Sequence, residues 1–253
     1  MGKVWNCLYK SPYYYVFISL LLQKIKTSLR SWWWKILGTL FVGIAIIAGI
    51  LIPVPRLDIT NESIRNLYFH VPMWFTMIAL FSGACYYSIK HLVSGDLRHD
   101  VYAVQLTNTG ILFSILGMLT GMEWAQYTWG EAWSNDPKQL TTALCMLIYF
   151  AYSILRGGIK DDEKRGKISS VYNIFAFAMM IPLIFVIPRM VDSLHPGNGG
   201  NPAFKKYDLD NTMRLVFYPA VAGWILLGTW IATLKIRLEL VQFNRDNDFL
   251  FKS

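Results

Sequence analysis

Two histidines and one tryptophan-rich segment carry the residue types best suited to binding a ligand. His70 lies in the run YFHVP, His195 lies in SLHPG, and residues 123–138 read EWAQYTWGEAWSNDPK. A single histidine at the end of a helix more often forms a hydrogen bond than binds a metal. Two neutral imidazoles, however, can bind the iron of a haem from opposite faces. Indole rings offer flat apolar surfaces for a porphyrin plane, so the three segments together indicate a haem-type ligand.

The tryptophan-rich segment contains four candidate contacts. Trp129 and Trp133 are four residues apart and share one face if this part is helical, and Gly130 allows close approach to the backbone. Asp136 is suited to capping a helix, meeting a partner cation or forming a hydrogen bond at the ligand edge. Its loss is therefore expected to leave a haem-type ligand bound. The alternative is an interfacial belt, because tryptophan is enriched at membrane surfaces.

The elements that must position these residues are membrane-spanning helices. Of the 253 residues, 54% are hydrophobic and 16% are charged, and the apolar residues form runs of about twenty. Runs of this length cross a bilayer as helices. We therefore predict an all-α polytopic membrane protein. The six predicted spans are 33–53, 72–91, 101–122, 139–155, 170–188 and 215–235.

The distribution of basic residues predicts the orientation. Of the 24 Lys and Arg residues, 17 fall on the side of the two termini and 7 on the opposite side. The side richer in basic residues is normally cytoplasmic, so both termini are inside and the tryptophan-rich segment, His70 and His195 face outward. His91 and His99 fall in a short cytoplasmic turn, where we expect them to be solvated. A zinc site at the outer face would lack its third and fourth ligands.

The remaining segments define the domain organisation and limit the kinds of partner that the protein could have. Residues 1–30 are predicted to be an interfacial helix or an over-extended start, 31–237 the membrane domain and 238–253 a cytoplasmic tail. The net charge of +8 is spread over short turns, which sets orientation and does not indicate a nucleic-acid partner. The three cysteines show no CxxC spacing and are expected to be free thiols. The sequence has no Walker motif, so ATP use would belong to another chain.

These segments resemble the haem-handling membrane proteins of cytochrome c maturation. WGEAWSNDPK at 129–138 is similar to their tryptophan-rich WWD signature, and NLYFHVPMWF at 66–75 is similar to the histidine-bearing segment of the CcmC branch. His195 stands where the second histidine of that family falls. The resemblance covers about residues 33–235, including the six-span layout. Asn135 stands where the family usually has a further tryptophan, and the Pro-Lys pair that ends the segment is closer to the CcsA and CcmF branches.

The resemblance implies a haem carrier rather than an enzyme. His70 and His195 would be the axial ligands of a non-covalently bound haem b. The protein would span the lipid bilayer of the bacterial inner membrane with its haem site facing the periplasm. It would present haem to a CcmE-like chaperone beside CcmA- and CcmB-like subunits of an ABC transporter. The outer haem platform would be formed by Trp129, Gly130, Trp133 and Asp136.

Three other functions remain open from the sequence. The first is a haem lyase or synthase subunit of the CcsA and CcmF branch, although those proteins carry extra spans and further histidines within the membrane. The second is a haem permease with the tryptophan-rich segment as its gate. The third is a purely structural subunit that seats a transporter.

Overall fold

Six long helices form the protein in the computed structural model, which describes residues 12–55, 61–195 and 209–250. A short 3-10 helix, Asn61–Asn66, leads into the second long helix, and a π-helical turn, Pro182–Val186, and a 3-10 turn, Ile187–Arg189, follow the fifth. The described residues contain no β-strand. The long helices are α1 (Pro12–Leu51), α2 (Leu67–Ser94), α3 (Leu97–Trp129), α4 (Pro137–Gly157), α5 (Asp162–Ile181) and α6 (Asn211–Leu250).

All six long helices are apolar enough to cross a membrane, which confirms the predicted all-α, six-span class. Each of the six helices extends beyond its predicted span at one end or both, and the extension is longest for α1 and α6. α1 begins at Pro12, inside the segment 1–30 that we predicted as separate, and residues 1–11 lie outside the described residues. α6 continues to Leu250, so most of the predicted tail 238–253 is helical.

Glycines on α3 allow α2 to pack against it closely. A Cβ atom on Gly117 would lie 2.8 Å from Cε2 of Trp74, and one on Gly121 would lie 2.6 Å from Cε1 of His70. Because the two glycines are four residues apart, they lie on one face of α3. Small residues commonly allow helices to approach each other in membranes. Here they place two rings of α2 directly against α3.

The first and last helices pack together through glycines as well. A Cβ atom on Gly223 of α6 would lie 2.8 Å from Cβ of Phe41 in α1, and one on Gly38 would lie 2.9 Å from Cβ of Leu226. α6 also packs against α2 and α3. The α1 and α6 pair therefore also supports α2, the helix that carries His70.

His91 lies inside the bundle where α2 ends and α3 begins, so our expectation that it is solvated is wrong. The residue is 1% exposed, and its Nδ1 lies 2.9 Å from the backbone oxygen of Asp96. α5 can cover it because Gly166 has no side chain, and a Cβ atom there would lie 2.7 Å from Nε2 of His91. His99 is half-buried, with its Nδ1 2.9 Å from the hydroxyl of Ser94.

A buried ion pair joins α3 to α4 at the same end of the bundle. Arg156 donates two hydrogen bonds to Asp100, with N to O distances of 2.8 and 2.7 Å. Both side chains are largely buried. A two-bond arginine–carboxylate pair fixes the relative position of its partners, so it sets the register of α3 against α4 at this end.

Replacing Arg156 by alanine is expected to destabilise the protein strongly, because Asp100 would be left buried without its partner. Breaking a buried pair in this way costs about 3–5 kcal/mol. The matched control is Arg98→Ala, which removes an exposed pair with Asp96, and exposed pairs of this kind contribute little to stability. Unfolding of the two variants in detergent, followed by circular dichroism, measures the difference. Equal stabilities would show that the buried pair has no structural role.

Candidate functional site

An open pocket of about 1210 Å³ lies between α2, α3, the start of α4 and the turns that follow α5. His70 and His195 both line it, and Lys138 and Arg189 add positive charge to its lining. Pockets for small organic ligands share this character, a mostly apolar lining with a few polar groups. The apolar lining includes Leu67, Val71, Trp74, Phe75, Met118 and Phe185.

The two predicted ligands come together although they belong to different parts of the chain. His70 lies in the first turns of α2, and His195 follows the 3-10 turn after α5. A smaller gap of about 250 Å³ is lined by both histidines and by Trp124 and Trp129. The two imidazoles therefore face a common space at the end of the bundle where α3 finishes.

Both ring nitrogens of His70 have hydrogen-bond partners, and those of Nδ1 hold the ring against α3. Its Nδ1 lies 3.0 Å from the carbonyl oxygen of Gly117 and 3.3 Å from the hydroxyl of Thr120. A carbonyl oxygen only accepts, so Nδ1 carries the proton and Nε2 carries the lone pair. The indole N–H of Trp74 donates to that Nε2 at 3.2 Å.

His195 is held by a carboxylate. Its Nδ1 donates to Oδ1 of Asp136 at 2.9 Å, and its ring meets the ring of Trp129 edge to face, with centroids 4.8 Å apart. Because Nδ1 carries the proton in this contact, Nε2 carries the lone pair. A carboxylate behind a histidine fixes the tautomer and orientation that metal binding requires.

Asp136 connects the tryptophan-rich segment to the segment that bears His195. Its Oδ1 accepts from the backbone N–H of Lys138 at 2.9 Å, which caps α4, and from the hydroxyl of Ser193 at 3.1 Å. Its Oδ2 accepts from the backbone N–H of Leu194 at 2.7 Å. With the bond from His195, four donors surround one carboxylate. The side chain of Asp136 thus supports His195 from behind.

The charge of Asp136 is stabilised in spite of its burial. The residue is 3% exposed, and burial alone would raise the pKa of its carboxyl group. The hydrogen bond from His195 acts in the other direction, together with those from the N–H groups of Leu194 and Lys138, and these bonds hold the pKa below its usual value. Asp136 therefore remains an acceptor for Nδ1 at neutral pH.

The tryptophan residues divide between α3 and a short loop. α3 continues to Trp129 and ends at Gly130, whose φ of +82° is left-handed, a conformation that glycine adopts readily at helix ends. The prediction that Trp129 and Trp133 share a helical face is therefore wrong, because the chain leaves the helix between them. Trp133 donates to the side chain of Asn135 at 2.9 Å and does not line the pocket.

Comparison with known proteins shows the family of this chain. A model of the family described as Heme exporter protein C matches residues 20–250 of this chain. The chain belongs to the heme exporter protein C family. Heme exporter protein C of Haemophilus influenzae is 20% identical over 206 residues, which cover 81% of this chain and 82% of the relative. That of Escherichia coli K12 is 19% identical over 177 residues, covering 70% of each.

A relative from the neighbouring branch matches over a much shorter stretch. The cytochrome c biogenesis protein CcsA of a Synechococcus species is 33% identical over 60 residues, which cover 24% of this chain and 20% of the relative. The family model extends over most of the chain. The CcmC branch, which the resemblance predicted, is thereby confirmed.

Our reading of the sequence missed the residues that position His70 in this heme exporter protein C family member. Trp74 bonds to its Nε2, and Gly117 and Gly121 form the surface on which both rings lie. Trp124 meets the His70 ring edge to face, with centroids 5.9 Å apart. The spacing of four residues in both the His70–Trp74 and the Gly117–Gly121 pairs is the signal that indicates two packed helical faces.

Asp136→Ala is now expected to weaken haem retention, contrary to the expectation from sequence alone. His195 would lose the acceptor that orients its ring, and loss of such a partner typically lowers metal affinity about 10–100-fold. Haem titration of the purified protein measures the change. Glu131→Gln is the matched control, because this exposed carboxylate lies in the same loop and has no bond to His195. Unchanged affinity in Asp136→Ala would contradict the supporting role.

Proposed function

We propose that this protein binds haem b non-covalently in the pocket between α2, α3 and α4, with His70 and His195 as the iron ligands. The observation that carries the proposal is that two histidines from separate segments line one apolar pocket. Membership of the heme exporter protein C family supports a role in haem handling and cytochrome c biogenesis. The protein acts as a carrier that delivers haem to a partner.

The hydrogen bonds of the two histidines support the ligand assignment. Each Nδ1 donates to a fixed acceptor, Gly117 for His70 and Asp136 for His195. Each Nε2 is thus the nitrogen with the lone pair that a metal needs. The described residues contain no group of three or more His, Cys, Asp or Glu side chains placed to hold a metal ion. Two axial nitrogens suit an iron whose other four ligands come from a porphyrin.

The remainder of the pocket suits the other parts of a haem. Apolar side chains of α2 and α3 line most of it, and Trp124 and Trp129 present ring edges and faces near the histidines. Lys138 and Arg189 also line the pocket, and cations of this kind bind the propionate carboxylates through charge-assisted hydrogen bonds. Trp133 contributes outside the pocket, where its exposed ring is available to a partner protein.

A difference between the two proposed ligands supports a role in delivery. His70 is buried against α3, whereas the side chain of His195 is 19% exposed and lies on an irregular segment. An incoming histidine of a CcmE-like chaperone would reach the His195 side of the iron first and replace that ligand. CcmA- and CcmB-like transporter subunits would supply the ATP-driven step, and the bond-forming chemistry would belong to haem and its acceptor.

We further propose that the protein lies in the bacterial inner membrane with its pocket at the periplasmic face. The support is the excess of Lys and Arg residues on the side of the membrane where the two termini are predicted to lie. The side richer in basic residues is normally cytoplasmic. Thiol labelling tests it in a chain whose three native cysteines are replaced by alanine. A cysteine at Glu131, which is exposed in the loop after α3, should react in intact cells. A cysteine at Lys160, exposed at the other end, should react only after lysis, and the reverse pattern would refute the orientation.

Haem ligation is tested by optical spectra of the purified full-length protein. We expect low-spin haem in the wild type, and His70→Ala and His195→Ala are each expected to lower haem affinity more than the Asp136 variant does, because each removes an iron ligand itself. His99→Ala is the matched control, since this half-buried histidine lies at the other end of the bundle.

Two outcomes would contradict the ligand assignment. The first is a double variant, His70→Ala with His195→Ala, that keeps the wild-type spectrum and haem content. The second is a wild-type protein that takes up no haem at all, as expected for a purely structural subunit.

A further inference from the structure

The lone pair that His70 would offer to iron is already occupied by a neighbouring side chain. The indole N–H of Trp74 donates to Nε2 of His70 at 3.2 Å, one helical turn away on α2. We propose that Trp74 is a placeholder for the iron, a positioning residue whose hydrogen bond must break when haem loads and forms again when haem leaves. The inference deepens the proposed function and rests on it.

The Trp74 ring is held in this place by α3. Its plane is almost perpendicular to that of His70, at 84° with ring centroids 5.9 Å apart. The ring lies so close to Gly117 that a Cβ atom there would be 2.8 Å from its Cε2. The carbonyl oxygen of the same glycine accepts from Nδ1 of His70. One position on α3 thus seats the indole and also fixes the tautomer that gives Nε2 its lone pair.

The chemistry of the imidazole makes the two contacts exclusive. Neutral Nε2 has one lone pair in the ring plane, which accepts an N–H or binds a metal but does not do both. In the haem-free protein the Trp74 bond satisfies a largely buried nitrogen that would otherwise be left unpaired, a state that costs free energy. Trp74 therefore stabilises the empty site relative to the loaded one. It lowers the net affinity for haem, which favours delivery.

A second tryptophan provides the comparison that isolates the N–H group. Trp124 also meets the His70 ring edge to face, with the same centroid distance of 5.9 Å and an angle of 75°. Its N–H, however, donates to the hydroxyl of Ser63 at 3.1 Å. The variants Trp74→Phe and Trp124→Phe both keep an aromatic ring beside His70, and only the first removes a donor to Nε2.

The first measurement uses haem-free protein and so does not depend on the proposed function. Full-length protein with ¹⁵N-labelled histidine gives a resonance for Nε2 of His70, which is assigned by its disappearance in His70→Ala. We expect the resonance to move downfield in Trp74→Phe, toward the position of a pyridine-type nitrogen without a hydrogen bond, and to stay in place in Trp124→Phe. An unmoved resonance in Trp74→Phe would overturn the placeholder.

The second measurement is haem titration of the same proteins. Trp74→Phe is expected to bind haem roughly 2- to 10-fold more tightly than wild type, the ratio that corresponds to one net hydrogen bond of about 0.5–1.5 kcal/mol. Trp124→Phe should show no such gain. Equal or weaker binding by Trp74→Phe, with binding still dependent on His70, would overturn the placeholder and leave the proposed function intact. Binding that persists in His70→Ala would instead overturn the proposed ligand.

Discussion

The carboxylate of Asp136 is the contact on which the candidate site depends. It caps α4 through the N–H of Lys138 and binds the segment that follows α5 through Leu194 and His195. The first of these bonds fixes where α4 begins after the tryptophan-rich loop. The others fix where His195 lies relative to that loop. This buried anion thus links an irregular segment to the helix ends that surround the pocket.

The other side of the site is positioned by packing and by the backbone rather than by charge. Two glycines on α3 let His70 and Trp74 approach that helix closely, and the Gly117 carbonyl orients the His70 ring. His70 thus lies on a helix packed closely against α3, whereas His195 lies on an irregular segment that is held by the carboxylate of Asp136. Under the proposed function, this asymmetry would let His70 retain the haem while His195 is exchanged.

The sequence predicted the parts of the structure that follow from local composition. Six spans were readable because each apolar run is long enough to cross a bilayer, and the two histidine segments were recognisable around the tryptophan-rich stretch. Contacts between segments that are distant along the chain could not be predicted from the sequence. The bond from His195 to Asp136 joins residues 59 positions apart, and the burial of His91 depends on the missing side chain of Gly166 on another helix. The left-handed end of α3 at Gly130 separated two tryptophans that their spacing had grouped together.

In the proposed site, His70 and His195 bind the same iron. Pulsed electron paramagnetic resonance of the haem-loaded, full-length protein, compared with and without ¹⁵N-labelled histidine, tests it most directly because it detects nitrogens bound to the iron. We expect two coordinated histidine nitrogens in the wild type. His70→Ala and His195→Ala should each lose one of the two. A single coordinated histidine in the wild type, or two that survive either substitution, would contradict it.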